Sequence, residues 1–194
     1  MKEVIVLLTD KWNDWEASYA IAVINSFSEE YTVRTISDNG APKESMGGIR
    51  SAVDYDMRNF TNFNQMAVLI MPGGLSWEEN SHDDIADFVT KVQKHNIPIA
   101  AICSATTFLC RHGFLNKIHH TGDSRQWFLE QKEYGYTGEE LYEDKQLVID
   151  GGIITANETA AVKFAYEIFK LLKIDSDEEL ATWYDNFSNG AVRN

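Results

Sequence analysis

The chain has 194 residues, 44% of them apolar and 24% charged, which is the composition of one rather large globular domain and not of a disordered tract. Its 12 glycines, 3 prolines and 2 cysteines exclude a collagen-like, proline-rich or disulfide-stapled protein. With 17 Lys and Arg against 30 Asp and Glu the formal charge is −13. Such a surface repels phosphate backbones and anionic lipid heads, so no nucleic acid and no membrane are expected as partners, while a small anionic substrate is still allowed because a local pocket can carry its own sign.

In chain order, Val4 to Leu8 is an unbroken apolar run of strand length. Asp14 opens a helical stripe of Trp15, Tyr19, Ala22, Val23 and Phe27. Tyr31 to Ser37 alternates as a strand, ended by Asp38-Asn39-Gly40, and Met46 to Val53 reads as a short strand or hairpin arm. Ala67 to Met71 is a second buried strand, and Ile85, Phe88, Val89 and Val92 mark a helix opened by Asp83-Asp84 and closed near His95-Asn96. Ile97 to Cys103 is a third apolar run. Thr106 to Leu115 and Arg125 to Glu133 come next as helices. Lys145 to Ile149 and Ile153 to Thr155 flank Asp150-Gly151-Gly152 as a hairpin. Thr159 to Lys173 is a helix with Val162, Ala165, Tyr166, Phe169 and Leu172 on one stripe.

Alternating strands and helices, with strands apolar on both faces, predict a single doubly wound α/β domain of flavodoxin-like type, its mostly parallel sheet covered on both sides. That domain is expected over residues 1–175. Residues 176–194 form an extension in which Ser176 to Glu179 is a capping box before Leu180, Trp183, Tyr184 and Phe187. The aromatic stripe packs either on the chain's own core or on a partner subunit. No apolar stretch approaches the ~20 residues of a membrane span, and the five apolar residues after Met1-Lys2-Glu3 are too few for a signal peptide. A cytoplasmic location is expected. Cys103 and Cys110 lie seven residues apart along one helix, a rise of roughly 10 Å, too far for them to bridge.

In an open α/β sheet ligands bind beyond the carboxyl ends of the strands. Three loops there should converge: Thr9 to Glu16, Pro72-Gly73-Gly74 and Cys103-Ser104-Ala105-Thr106. Cys103 sits where a buried strand meets a helix, between the small Ala101 and Ala105, as in a nucleophile elbow. The helix dipole there should favour its thiolate, although an unpaired cysteine also serves as plain core, the reading given to Cys110. Backbone N–H groups of Gly74 and Ser104 could form an oxyanion hole, against the alternative of a simple turn. Glu16, after Trp12 and Trp15, should have a raised pKa and could donate to a thiolate; the plainer alternative is a glutamate answering the helix dipole. His119 and His120 are the candidate bases. In a strand they face opposite sides, so one at most reaches the crevice. His82, His95 and His112 read as surface or helix-end residues. No metal-binding spacing and no phosphate-cradling glycine motif occurs, so neither metal nor cofactor is expected.

Together these segments resemble the ThiJ/PfpI family of the class I glutamine-amidotransferase-like superfamily over residues 3 to about 173. The resemblance rests on Asp14-Trp15-Glu16, Met71 to Gly74, Ala101-Ile102-Cys103, Gly113 to Thr121 and Ile149 to Ala156. It implies that Cys103 is the reactive cysteine, Glu16 the acid touching it, and Gly74 and Ser104 the oxyanion donors. His120, before Thr121, is the base by likeness to one branch of the family. Ser104 stands where many members carry histidine, and no His-x-Glu occurs near Glu158 to Glu167, so true glutamine amidotransfer is not expected. The implied activities are a cysteine hydrolase of peptidase or amidase type, or one attacking a reactive carbonyl as a glyoxalase or deglycase does. A non-catalytic redox-sensing or chaperone-like stress protein and an oligomeric small-molecule binder are the alternatives. Family members commonly form homodimers or larger homo-oligomers.

Overall fold

A computed structural model describes residues 1–191. Its elements run β1 (Lys2–Leu7), α1 (Asp14–Phe27), β2 (Tyr31–Ser37), β3 (Lys43–Glu44), β4 (Arg50–Ser51), β5 (Tyr55–Asp56), β6 (Met66–Met71), α2 (Ser76–Glu79) and α3 (Asp83–Lys94). They continue with β7 (Ile99–Ile102), α4 (Ser104–Arg111), α5 (Arg125–Glu130), β8 (Leu147–Asp150), β9 (Ile153–Ala156), α6 (Ala161–Leu172) and α7 (Asp177–Asn189).

Seven strands form one sheet in the order β5-β2-β1-β6-β7-β9-β8, parallel throughout except for β8 against β9. Because side chains alternate along a strand, β1 sends Ile5 and Leu7 to one core and Val4 and Val6 to the other, which Leu8 just past its end joins. The first core is closed by α3 and α4 through Phe88, Val89, Val92, Phe108 and Leu109, the second by α1 and α6 through Ala17, Ala20, Ile24, Phe164 and Phe169. This is the doubly wound fold expected from the apolar runs. Strand order reverses at β1, with β2 on one side and β6 on the other, so the switch point lies beyond the carboxyl ends of β1 and β6.

Several local expectations shift. The buried face of α1 is Glu16, Ala17, Ala20 and Ile24, while Trp15 and Phe27 point to solvent. Alanines let the helix lie close to the sheet, and that proximity decides the face over the bulk of the aromatics. On α6 the buried residues are Phe164, Ala165, Ile168, Phe169 and Leu172, with Val162 and Tyr166 only half-buried at the edge of the stripe. The Asp150 to Ile153 hairpin turns through Gly151 and Gly152, both at positive φ, as an Asp-Gly-type turn requires. The Met46 region is the turn, residues 45–49, of a hairpin whose strands β3 and β4 have two residues each.

Ser176 caps α7 by accepting from the Glu179 N–H at 3.2 Å. Trp183 lies edge-on to Tyr19 and Phe169, and Tyr184 stacks on Tyr166 at 4.8 Å. The aromatic stripe therefore rests on α1 and α6 of its own chain. Val192 to Asn194 lie outside the described residues.

Candidate active site

Cys103 joins β7 to α4 with φ 58° and ψ −139°, a conformation that costs a non-glycine residue about 1–3 kcal/mol. The surroundings hold it there. Its N–H donates to the Ala156 carbonyl of β9 at 2.9 Å, and its carbonyl accepts from the Thr106 N–H at 2.8 Å and the Thr106 hydroxyl at 2.6 Å. The effect is to lift the sulfur, half-buried, to the carboxyl edge of the sheet beside the switch point.

Glu16 comes to the same place on the buried face of the first turn of α1, and it has no exposed surface. One carboxyl oxygen accepts from the Gly73 N–H at 2.6 Å, the other from the Asn13 side-chain amide at 2.7 Å. The same amide nitrogen lies 3.6 Å from the Cys103 sulfur. Asn13 occupies the N-cap position of α1, yet its side chain leaves the helix uncapped and serves the site. Gly73 lies between acid and thiol: a Cβ there would stand 2.7 Å from Cys103 Cβ, and 2.9 Å from both Cys103 Sγ and Glu16 Oε2. The loops after β1 and β6 are further stitched by the Asn13 N–H on the Gly73 carbonyl at 2.9 Å.

Burial raises the pKa of Glu16, only partly offset by its bonds to Asn13 and Gly73, as expected for an acid in that loop. The thiol departs from expectation. Burial first, then the charges of Glu16 and Asp123, push Cys103 well above the ordinary thiol range. The Ser104 N–H at the start of α4 pulls the other way and is the weakest of these influences. Desolvation and the two acids thus work against the helix end, whose dipole favours the thiolate.

The oxyanion donors also rearrange. The Gly74 N–H donates to Ser104 Oγ at 2.9 Å, and that hydroxyl donates back to the Gly74 carbonyl at 3.0 Å. This reciprocal pair occupies the Gly74 donor, and the backbone N–H of Ser104 remains beside the sulfur.

His120 is not brought to the thiol. It is fully buried, its Nδ1 lies 2.8 Å from the Ile118 carbonyl and its Nε2 2.8 Å from the Tyr136 hydroxyl, and it lies flat on Phe128. A carbonyl only accepts, so Nδ1 carries the proton and Nε2 accepts from Tyr136. Burial lowers its pKa and keeps it neutral. Both nitrogens are committed to the packing of the 118–142 segment, which corrects the assignment of His120 as base. His119 faces outward and pairs with Glu143 at 3.0 Å. His82, His95 and His112 sit at helix ends, and Cys110 is sealed in the core.

Two acids absent from the sequence-based set stand at the site. Asp123, just past the buried Thr121, lies near enough for its charge to weigh on the thiol, and its Oδ1 accepts from the Glu158 N–H at 2.8 Å. Glu158 lies just past the carboxyl end of β9. Burial and this neighbour push Asp123 up to about 7. A separate cavity of about 450 Å³, lined by residues that include Asp10, Lys43, Ser76 and His82, lies beyond the ends of β1 and β2 and does not include Cys103.

A flavodoxin-like sheet bearing a strained cysteine elbow against a buried acid defines a class of α/β proteins. The chain belongs to the DJ-1/PfpI family, whose model matches residues 2–171. It is 35% identical over 181 residues to the "Uncharacterized protease YdeA" of Bacillus subtilis, covering 93% of this chain and 88% of that protein. It is 31% identical over 189 residues to the "Uncharacterized protease YoaZ" of the same organism, covering 94% and 89%. The crystal structure of the DJ-1 superfamily protein Atu0886 from Agrobacterium tumefaciens superposes with a TM-score of 0.87 at 30% identity, covering 98% of this chain and all of that one. Among the described residues no helix is long and apolar enough to cross a membrane.

Proposed function

We propose that this protein is a cysteine-dependent hydrolase in which Cys103 attacks a carbonyl carbon, that of an amide or peptide or of a small reactive aldehyde. The observation that carries the reading is the strained elbow that presents the sulfur beside the buried Glu16. A raised Glu16 pKa lets the acid hold its proton, so that it ceases to repel the sulfur and can donate to it as charge develops. The Ser104 N–H serves the oxyanion. The protease names of YdeA and YoaZ support a hydrolytic reaction. The free state of both cysteines fits action in the cytoplasm. A homo-oligomer remains part of the proposal on family grounds alone, since the Trp183 stripe is used within the chain.

The test compares wild type with Cys103→Ala on peptide, amide and glyoxal substrates. Turnover of one of them by the wild type, lost in the variant, is expected. Equal activity in the two proteins would end the enzymatic reading.

A further inference from the structure

Asparagine ranks with aspartate and serine as the preferred residue at a helix start, where its side-chain oxygen accepts from an N–H of the first turn. Asn13 has the extended backbone of such a cap, at φ −80° and ψ 104°, yet its side chain makes no capping bond. It turns instead to the cysteine, with Nδ2 2.7 Å from Glu16 Oε1 and 3.6 Å from Cys103 Sγ. Carboxyl oxygen and sulfur both accept, and the amide NH2 has two hydrogens, one for each. We propose that Asn13 is a catalytic residue of this site, an uncharged donor that holds the Cys103 sulfur in its anionic form and sets its place against Glu16. This rests on the reading of Cys103 as the nucleophile and adds the group that binds its charge.

The fold aims this amide and keeps it there. Asn13 is buried, its N–H donates to the Gly73 carbonyl at 2.9 Å, and its carbonyl accepts from the Glu16 N–H at 3.3 Å. Trp12 beside it is bridged to both Gly74 and Ser45, so the loop after β1 is pinned to the loop after β6. From that base the amide spans to the β7–α4 elbow, 90 residues further along the chain. Its orientation comes at the expense of its own oxygen. Oδ1 is buried and finds no partner among the described residues. A residue that only filled space or capped α1 would turn to satisfy that acceptor, because a buried polar atom without a bond destabilises the fold. Two bonds from the nitrogen, one to the acid and one to the sulfur, are what hold it turned the other way.

An uncharged donor suits these surroundings. The charged groups that bear on the sulfur are Glu16 on α1 and Asp123 past Thr121, with Glu158 beside Asp123. Each acid opposes a negative charge on sulfur while it is ionised. The amide of Asn13 and the Ser104 N–H favour that charge and have no proton to lose, so they donate at every pH at which the protein is folded. Asn13 touches the reacting atom itself, and its second hydrogen bond ties the position of Glu16 to that of the sulfur.

Alkylation by iodoacetamide across a range of pH reads the ionisation of the sulfur without needing a substrate, with Cys103→Ala as the blank for Cys110. A hydrogen bond to a charged atom favours the charged form by ~10–100-fold, and sulfur is a weak acceptor, so the lower end applies. Asn13→Ser should raise the midpoint of the alkylation profile by about one pH unit, read below the midpoint as a rate about tenfold lower. Serine caps a helix as well as asparagine does, so a purely structural role predicts an unmoved midpoint in this variant. Asn13→Asp keeps the shape and the capping ability and replaces the NH2 by oxygen. It should raise the midpoint at least as far, and it decides the matter alone should Asn13→Ser not fold. Made in a Glu16→Gln background, Asn13→Ser should still raise the midpoint, because the contact with sulfur is direct. An unmoved or lowered midpoint in Asn13→Ser or Asn13→Asp, or a shift that disappears in the Glu16→Gln background, would overturn the assignment. Absence of turnover on every substrate tried would refute the hydrolase reading and leave a raised midpoint standing, whereas turnover with an unmoved midpoint would refute the role of Asn13 alone.

Discussion

Gly73→Ala is the smallest change that should dismantle the site. The added Cβ would stand 2.7 Å from Cys103 Cβ and 2.9 Å from both Cys103 Sγ and Glu16 Oε2. None of these atoms is the free end of a flexible chain: the cysteine is fixed by Ala156 and Thr106, the acid by Asn13 and Gly73 itself. Relieving such an overlap in packed surroundings costs about 1–3 kcal/mol. If the backbone yields instead, the Gly73 N–H leaves a buried carboxyl oxygen, at about 1–3 kcal/mol more. A loss of about 2–5 kcal/mol should therefore appear as a lower urea midpoint with an unchanged slope, together with altered iodoacetamide reactivity at Cys103. Gly152→Ala is the counterpart, with φ 77° and nothing within 4 Å of its Cβ, so it meets backbone strain without collision. It should cost about 1–2 kcal/mol and leave Cys103 untouched. Were Gly73→Ala to keep its stability within about 0.5 kcal/mol and its alkylation rate unaltered, the close approach of acid, glycine and thiol would be refuted.

His120→Phe should lower stability by about 2–4 kcal/mol, because it strands the Ile118 carbonyl and the Tyr136 hydroxyl, while leaving the pH profile of Cys103 alkylation unchanged. A lost or shifted profile would return the imidazole to the reaction. The site acids set a pH dependence of stability with a definite sign. Asp123 and Glu16 both have folded-state pKa values above their ordinary ones, so the folded state holds more protons and stability falls as pH rises from about 4 through 7. Urea titrations at several pH values should show that fall in the wild type and a flatter profile in Asp123→Asn. A steeper fall in the variant would contradict the sign.

The sheet was legible because strands buried on both faces must be apolar throughout, and Val4 to Leu8 and Ala67 to Met71 admit few other readings. The face of α1 was not, since Trp15 outweighs Ala17 and Ala20 in any hydrophobic count although only the alanines permit close packing. Cys103, Glu16 and the Gly73 turn were legible because each lies in the connection past the carboxyl end of an apolar run, Glu16 on the first turn of the helix that follows, where sites of such sheets gather. Asp123 and Glu158 were missed for a related reason. Ile153 to Thr155 reads locally as a hairpin arm, and its second identity, as a parallel neighbour of β7, depends on a pairing far away in sequence. Only that pairing makes its carboxyl end equivalent to the others and brings Asn157-Glu158 among the candidates. His120 misled because a buried imidazole satisfied by a carbonyl and a phenol has the same local sequence as one aimed at a thiol.

The charge arrangement narrows the chemistry. Cysteine nucleophiles commonly gain reactivity from a neighbouring cation that stabilises the thiolate. Here the groups beside the sulfur are Glu16 and Asp123, with Glu158 behind, and each opposes a negative charge while ionised. Since Glu16 and Asp123 both keep their protons to higher pH than free carboxyls, the environment that suppresses the thiolate is the same one that prepares its donors.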